Sequence, residues 1–238
     1  MNSERAEVSR SLTLLFDAER NVRRIHAELA AVSAAELVDA LGVAVGEALK
    51  LEDEDEAALR LVRLAALLGE LEGPKAADLL IDVLGSEEPE SRHAAGEALE
   101  ELAFDRFKEV ALGVERALER LPTGSPALLE LPYLLAEVAE PGVRKLLGKF
   151  LQHRDPEAVS AAIEAIVDLG DASALPMLEP LASDARTVRL EDEEGEEGTV
   201  TIGELAREAK KLLAEIEHSR PAAPVARDEA GPGTKGRR

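Results

Sequence analysis

The sequence predicts an all-α solenoid, a stack of antiparallel helix pairs, with one small β-hairpin inserted before the last helix. Three observations carry this prediction. Residues 79–102 (LLIDVLGSEEPESRHAAGEALEEL) return as residues 146–169 (LLGKFLQHRDPEAVSAAIEAIVDL) at a constant offset of 67. Leu169-Gly170-Asp171 repeats Leu68-Gly69-Glu70 at an offset of 101, and both offsets are multiples of a period of about 33–34 residues, the length of one helix pair. Finally, Ala, Leu and Glu dominate while aromatic residues make up only 2% of the chain. Those three residue types lose little side-chain freedom in a helix, so small and aliphatic side chains must fill the interior.

Composition also excludes several functions. The 28 Lys and Arg against 49 Asp and Glu leave a formal net charge of -21. Nucleic-acid binding needs a basic footprint that displaces counterions from phosphates, so nucleic acid is not an expected partner, and an anionic membrane surface is disfavoured on the same ground. There is no cysteine, which removes disulfides, thiol catalysis and zinc–thiolate sites. No apolar run has the length of a membrane span, and Glu4 and Glu7 occupy the place of a signal peptide's basic start. The expectation is a cytoplasmic protein with no membrane insertion.

Taken in order, residues 1–17 are an N-terminal segment expected as a short helix on Leu12, Leu15 and Phe16. Residues 18–50 form an N-terminal helical hairpin, either a cap or a degenerate repeat. Val22, Ile25, Leu29 and Val32 hold the helical period in its first helix. Ser33 followed by Glu36 makes a capping box, and Leu37, Leu41, Ala44, Val45 and Ala48 carry the face of the second helix. Residues 53–184 are the repeats. Acidic residues at 52–56 suit a helix N-terminus, where the macrodipole is positive. Gly73-Pro74, Glu88-Pro89, Ser125-Pro126 and Asp155-Pro156 each mark a stop and a new start. Asp105 is expected to cap a helix running through Phe107, Val110, Val114 and Leu118, and Pro132 to kink the helix that contains it. Residues 185–218 comprise an acidic β-hairpin, from the apolar–polar alternation of 187–191 and 199–202, and a C-terminal capping helix on Leu205, Ala209 and Ile216 with Thr201 and Glu204 as its capping box. Residues 219–238, rich in Pro, Gly and charge and without periodicity, are expected to be a disordered tail.

The text Asp155-Pro-Glu-Ala-Val-Ser-Ala-Ala-Ile-Glu-Ala-Ile-Val-Asp-Leu-Gly-Asp resembles the HEAT repeats, and is similar also to the HEAT-like repeats of bilin lyase subunits. The resemblance covers residues 53–183 well and 18–50 only in length and pattern. It implies outer helices, often proline-containing as at Pro132, and inner helices lining a concave face. The basic residue usual early in the outer helix is kept as Arg92 and lost near Ser160, and the hairpin at 187–202 lies outside the family pattern. Such a family fixes architecture more than activity.

Catalytic constellations are missing from the text. There is no phosphate loop, dinucleotide fingerprint, GxSxG elbow or HExxH. His26, His93, His153 and His218 are far apart in sequence, and the acidic stretch 191–197 lacks the ligand spacing of a calcium loop. No cofactor and no metal are expected. The reading favoured is a non-catalytic scaffold or adaptor binding a protein or peptide on the concave face; the alternative is an accessory subunit of a lyase or modifying enzyme. The candidate partner-binding residues are Arg144, Lys145, Lys149 and Arg154, a basic group in an acidic chain where an acidic partner segment could dock; the competing reading is a solvated helix edge.

Overall fold

The structure is a computed structural model, and it describes residues 2–138, 140–191 and 197–219. Each helix begins where local chemistry supplies an acceptor or a fixed φ. Helix α1 (Asn2–Ala30) gives way to α2 (Ala34–Ala48) at Ser33, whose Oγ accepts from the Glu36 amide at 3.4 Å and donates to its carboxylate at 2.7 Å. Helix α3 (Glu54–Gly69) is capped by Asp53, accepting from Glu56 N, with Glu54, Asp55 and Glu56 in its first turn. Prolines open α4 (Pro74–Leu84), α5 (Pro89–Arg120), α6 (Pro126–Glu137) and α8 (Pro156–Leu169), where their missing N–H is of no consequence. Helix α7 (Val143–Phe150) lies between the last two. Gly170, at φ +59°, ends α8 in the left-handed conformation that glycine adopts without strain.

The helices pair as the period requires. α1 goes with α2, α3 with α4, α6 with α7, and the two halves of α5 with each other. α8 pairs with a broken element made of two 3₁₀ turns (Ala172–Ala174 and Glu179–Ser183) around the short α9 (Leu175–Leu178). First helices stack on first helices (α3 on α5, α6 on α8), and second on second (α2 on α4, α4 on α5, α5 on α7). The core is therefore a continuous seam rather than a centre. Leu61, Leu68, Leu80, Ile81, Leu99, Leu128, Leu131, Leu147, Phe150 and Ile166 are fully buried along it, each stacked pair covering the face its neighbour cannot bury alone.

Beyond α9, strands β1 (Thr187–Glu191) and β2 (Glu197–Thr201) pair antiparallel, from Thr187↔Thr201 to Glu191↔Glu197. Val188 fills the core side of the hairpin. Helix α10 (Ile202–Ser219) then closes the stack against α8, its capping box formed by Glu204 N donating to Thr201 Oγ1 at 3.1 Å and Thr201 N donating to the Glu204 carboxylate at 2.9 Å. Among the described residues no helix is long and apolar enough to cross a membrane.

The structure departs from the sequence expectations at two places. Residues 1–17 are not a separate short helix: α1 is one helix of 29 residues. No breaker lies between Leu15 and Val22, and the Arg20–Asp17 ion pair at i, i+3 crosses the expected boundary. The break inside α5 falls on Arg106 (φ -141°, ψ 49°), one residue after the expected cap at Asp105. Pro132 lies inside α6, where the sequence placed it, and is buried there. The acidic turn at 192–196 and the tail from 220 onward lie outside the described residues.

Candidate interaction surfaces

Two rows of helices present two chemically different surfaces. On the second-helix row, oppositely charged side chains one repeat apart meet across each seam. Lys75 pairs with Asp39, Arg120 with Asp82, and Arg116 takes both Asp78 carboxylate oxygens from Nε at 3.0 Å. Lys149 reaches Glu115 at 2.7 Å, and Arg144 reaches Asp171 at 3.2 Å. The spacing in sequence, 34 to 38 residues for the first four, is the repeat itself. The ladder perturbs its own members. The hydrogen bond from Lys149 holds the Glu115 carboxyl below the usual carboxylate range, and those from the Ser173 hydroxyl and amide, with Arg144 behind them, do the same for Asp171. Asp82 goes the other way, pushed up by burial against the pull of Arg120.

The four candidate cations fall on this row or at its edge. Arg144 is occupied by Asp171 and the Ser173 hydroxyl, Lys149 by Glu115, and Arg154 donates from Nη2 to the Leu121 carbonyl at 3.4 Å. The Lys145 side chain is exposed and makes no hydrogen bond or ion pair among the described residues, though its charge also favours the ionised form of Glu115. Arg144, Lys145 and Lys149 thus share one helix, while Arg154 sits in the turn after it.

That turn contains a buried carboxylate that joins two repeats. The Asp155 side chain is 1% exposed. Its Oδ1 accepts from Glu157 N at 3.1 Å, capping α8, and its Oδ2 accepts from Gly124 N at 2.7 Å, in the turn that starts the preceding repeat. Arg186, just before β1, donates to the carbonyls of His153 (2.8 Å) and Arg154 (3.2 Å) on the same turn. It is itself clamped by Asp184, whose carboxyl that hydrogen bonding holds low. Three successive units are tied at this point.

The first-helix row is open instead. A groove of about 560 Å³ lies between α3 and the first half of α5, and another of about 350 Å³ lies between that half and α6. They meet at Glu97, which lines both. Ala66, Gly69, Ala94, Gly96 and Ala98 make the floor, and Glu97, Glu100, Glu101, Glu130 and Asp105 stand along it. Arg92 lines the second groove as well, donating to the carbonyls of Ser86 (3.2 Å) and Glu87 (2.6 Å) and lying 3.7 Å from the Glu130 carboxylate. Tyr133 lines the second groove and donates to Glu164 at 2.5 Å; burial and that carboxylate hold its hydroxyl protonated far above the ordinary tyrosine range.

The sequence reading did not find this groove. Its signal was present in the run Ala94-Ala95-Gly96-Glu97-Ala98, where small residues share a helix surface with acids at 97, 100 and 101. In an Ala- and Glu-rich chain that pattern is indistinguishable from ordinary helix text until the neighbouring helices are placed.

The family model for HEAT repeats matches residues 133–193. Among solved structures, an engineered protein is 20% identical, with 81% of this chain and 89% of that chain covered and a TM-score of 0.31. A computationally designed armadillo repeat protein for modular peptide recognition is 18% identical, with 82% and 92% covered and a TM-score of 0.32. No curated protein matches the sequence.

Proposed function

Because the chain is a HEAT-like helical repeat protein, we propose that it is a non-catalytic interaction scaffold, and that it holds an extended, Lys- and Arg-bearing segment of a protein or peptide partner across the first half of α5. The observation that carries this reading is the junction of the two grooves at Glu97. A floor of alanine and glycine lets a backbone approach closely, and the carboxylates along it select against an acidic segment and favour a basic one. In this reading the segment lies on the row of α3, the first half of α5 and α6, which the resemblance makes outer helices, and not on the inner row of α4, the second half of α5 and α7 that was expected to line the concave face.

A second reading keeps the basic residues of α7. Lys145, exposed and unpaired, favours it; an acidic segment docking there would have to draw Lys149 away from Glu115 and Arg144 from Asp171. The accessory-subunit alternative needs a cavity for a cofactor-sized group, and Tyr133 is the aromatic side chain that the two grooves offer.

Affinity capture from native lysate with three forms of the chain separates these readings. One is wild type, the second Glu97→Lys/Glu101→Lys/Asp105→Lys, the third Arg144→Glu/Lys145→Glu/Lys149→Glu. The expected result is a partner held by the first and third and weakened at least about tenfold on the second. Loss on the third alone moves the site to α7. A partner indifferent to both variants overturns the groove, and no partner on any form overturns the scaffold.

A further inference from the structure

Helix α1 is the least covered element of the chain. Val8, Leu12, Leu15, Glu19, Val22 and His26 follow one another at intervals of 4, 3, 4, 3 and 4 residues, the spacing of a single helix-packing seam. The C-terminal half of the seam is seated: Glu19, Val22 and His26 are half-buried, with Glu19 at 3.9 Å from Arg63 on α3 and His26 Nε2 at 2.9 Å from Glu70, just past the end of α3. The N-terminal half is open. Val8 is 59% exposed, Leu12 46%, Leu15 61%, and Phe16 beside them 55%. At 1.5 Å per residue, residues 2–18 carry this seam about 25 Å past its last anchoring pair. We propose that the open half of the α1 seam is a self-association surface, closed by the same half of α1 from a second copy of the chain.

Charge and area together identify the occupant. Helix α1 contains five acids (Glu4, Glu7, Asp17, Glu19, Glu28) and five arginines (Arg5, Arg10, Arg20, Arg23, Arg24), a net charge of zero, so the whole formal charge of -21 lies elsewhere in the chain. Two copies meeting anywhere on their bodies bring like charge together; meeting through α1 puts neutral helix between them. The four open side chains offer about 400 Å² of apolar surface per chain, and with their polar surroundings a face-to-face pair reaches the roughly 1,000 Å² that separates a specific contact from a chance one. An interface at this lower bound of size suits a reversible dimer, which the test below looks for around micromolar concentrations. The chain's own C-terminal segment is a poor occupant, because residues 220–238 contain Val225 as their only large aliphatic side chain.

Sedimentation equilibrium of the full chain from about 1 to about 300 µM tests this across the range where such a dimer forms. The wild type is expected to rise from 25.4 kDa toward twice that mass, and more readily at high salt, where repulsion between the acidic bodies is screened. Leu12→Glu/Leu15→Glu alters two exposed residues and leaves the circular dichroism unchanged, but keeps the chain at 25.4 kDa throughout, a loss of at least about thirtyfold in association. A wild type that stays monomeric, or a variant that associates within threefold of it, overturns the proposal. So does association that appears only once residues 220–238 are removed, which assigns the seam to the tail. A monomer that co-sediments with phosphatidylcholine vesicles assigns it to lipid and overturns the proposal as well.

Discussion

Replacing Asp155 by alanine removes two hydrogen bonds that do different work. The bond from Glu157 N caps α8, and an N-cap of this kind contributes about 1 kcal/mol. The bond from Gly124 N, at 2.7 Å, belongs to no helix. It joins one repeat to the next at a site where the carboxylate is 1% exposed, and leaving that amide without an acceptor costs about 1–3 kcal/mol. The sum is about 2–4 kcal/mol. With a urea dependence of roughly 2 kcal/mol per M, Asp155→Ala should lower the unfolding midpoint by about 1–2 M. Asp53→Ala is the control, because Asp53 caps α3 through Glu56 N and its side chain makes no second repeat-to-repeat bond. It should cost about 1 kcal/mol or less. Asp155→Asn should fall between the two, since an amide keeps one acceptor and turns a donor toward the other N–H. Equal losses at Asp155 and Asp53 would refute the inter-repeat role and leave Asp155 as an ordinary cap.

Two further predictions rest on the same end of the molecule. A Cβ added to Gly203 would lie 2.9 Å from the Ala182 carbonyl oxygen and 3.0 Å from that of Asp184, so Gly203→Ala should destabilise by about 1–3 kcal/mol and lower the thermal midpoint measured by circular dichroism. Acid should weaken the fold through Glu115, Asp171 and Asp184. Their carboxyls bind protons less readily folded than unfolded, so the stability they add is complete above the ordinary carboxylate range and is lost as pH falls through it. Asp82, shifted upward by burial, opposes this. Lys149→Met should therefore flatten the acid side of a plot of melting temperature against pH; an unchanged slope would count against the Lys149–Glu115 pair.

What could be read from the sequence was what neighbours in the chain decide. Ser33 with Glu36 and Thr201 with Glu204 are three residues apart, and each box forms as its spacing requires. The repeat period was legible because both copies bury the same positions, Leu80 with Leu147 and Ala95 with Ala162. Lys149 was legible only as one of a basic group, because its partner Glu115 is 34 residues away and reached through stacking. The groove at Glu97 was invisible for the same reason, since its walls come from α3 and α6. Helix α1 failed differently. Its apolar positions were read correctly as helical, but a period does not say how far along a helix the partner extends, and the partner here stops at Glu19.

Charge then sorts the surfaces. The cations of an acidic chain are scarce, and the ladder places Lys75, Arg116, Arg120 and Lys149 opposite carboxylates on the preceding repeat. Exposed pairs of this kind contribute about 0.2–1 kcal/mol each, too little to explain the fold, so their larger effect is on what stays uncompensated. With most arginines and lysines drawn to the seams of the second-helix row, the groove on the first-helix row keeps Glu97, Glu100, Glu101 and Asp105 without an arginine or lysine ion pair among the described residues, its lining arginines Arg92 and Arg106 being paired with Glu130 and Glu109. Helix α1, holding five arginines of its own, is left neutral. A basic segment is thus attracted to the groove and indifferent to α1, while a second copy is repelled by the body and indifferent to α1 except through its apolar seam. The two proposals therefore separate in one titration: raising salt should weaken a complex at the groove and strengthen one at α1. The same sign of salt dependence for both would mean that one of the two surfaces has been assigned to the wrong partner.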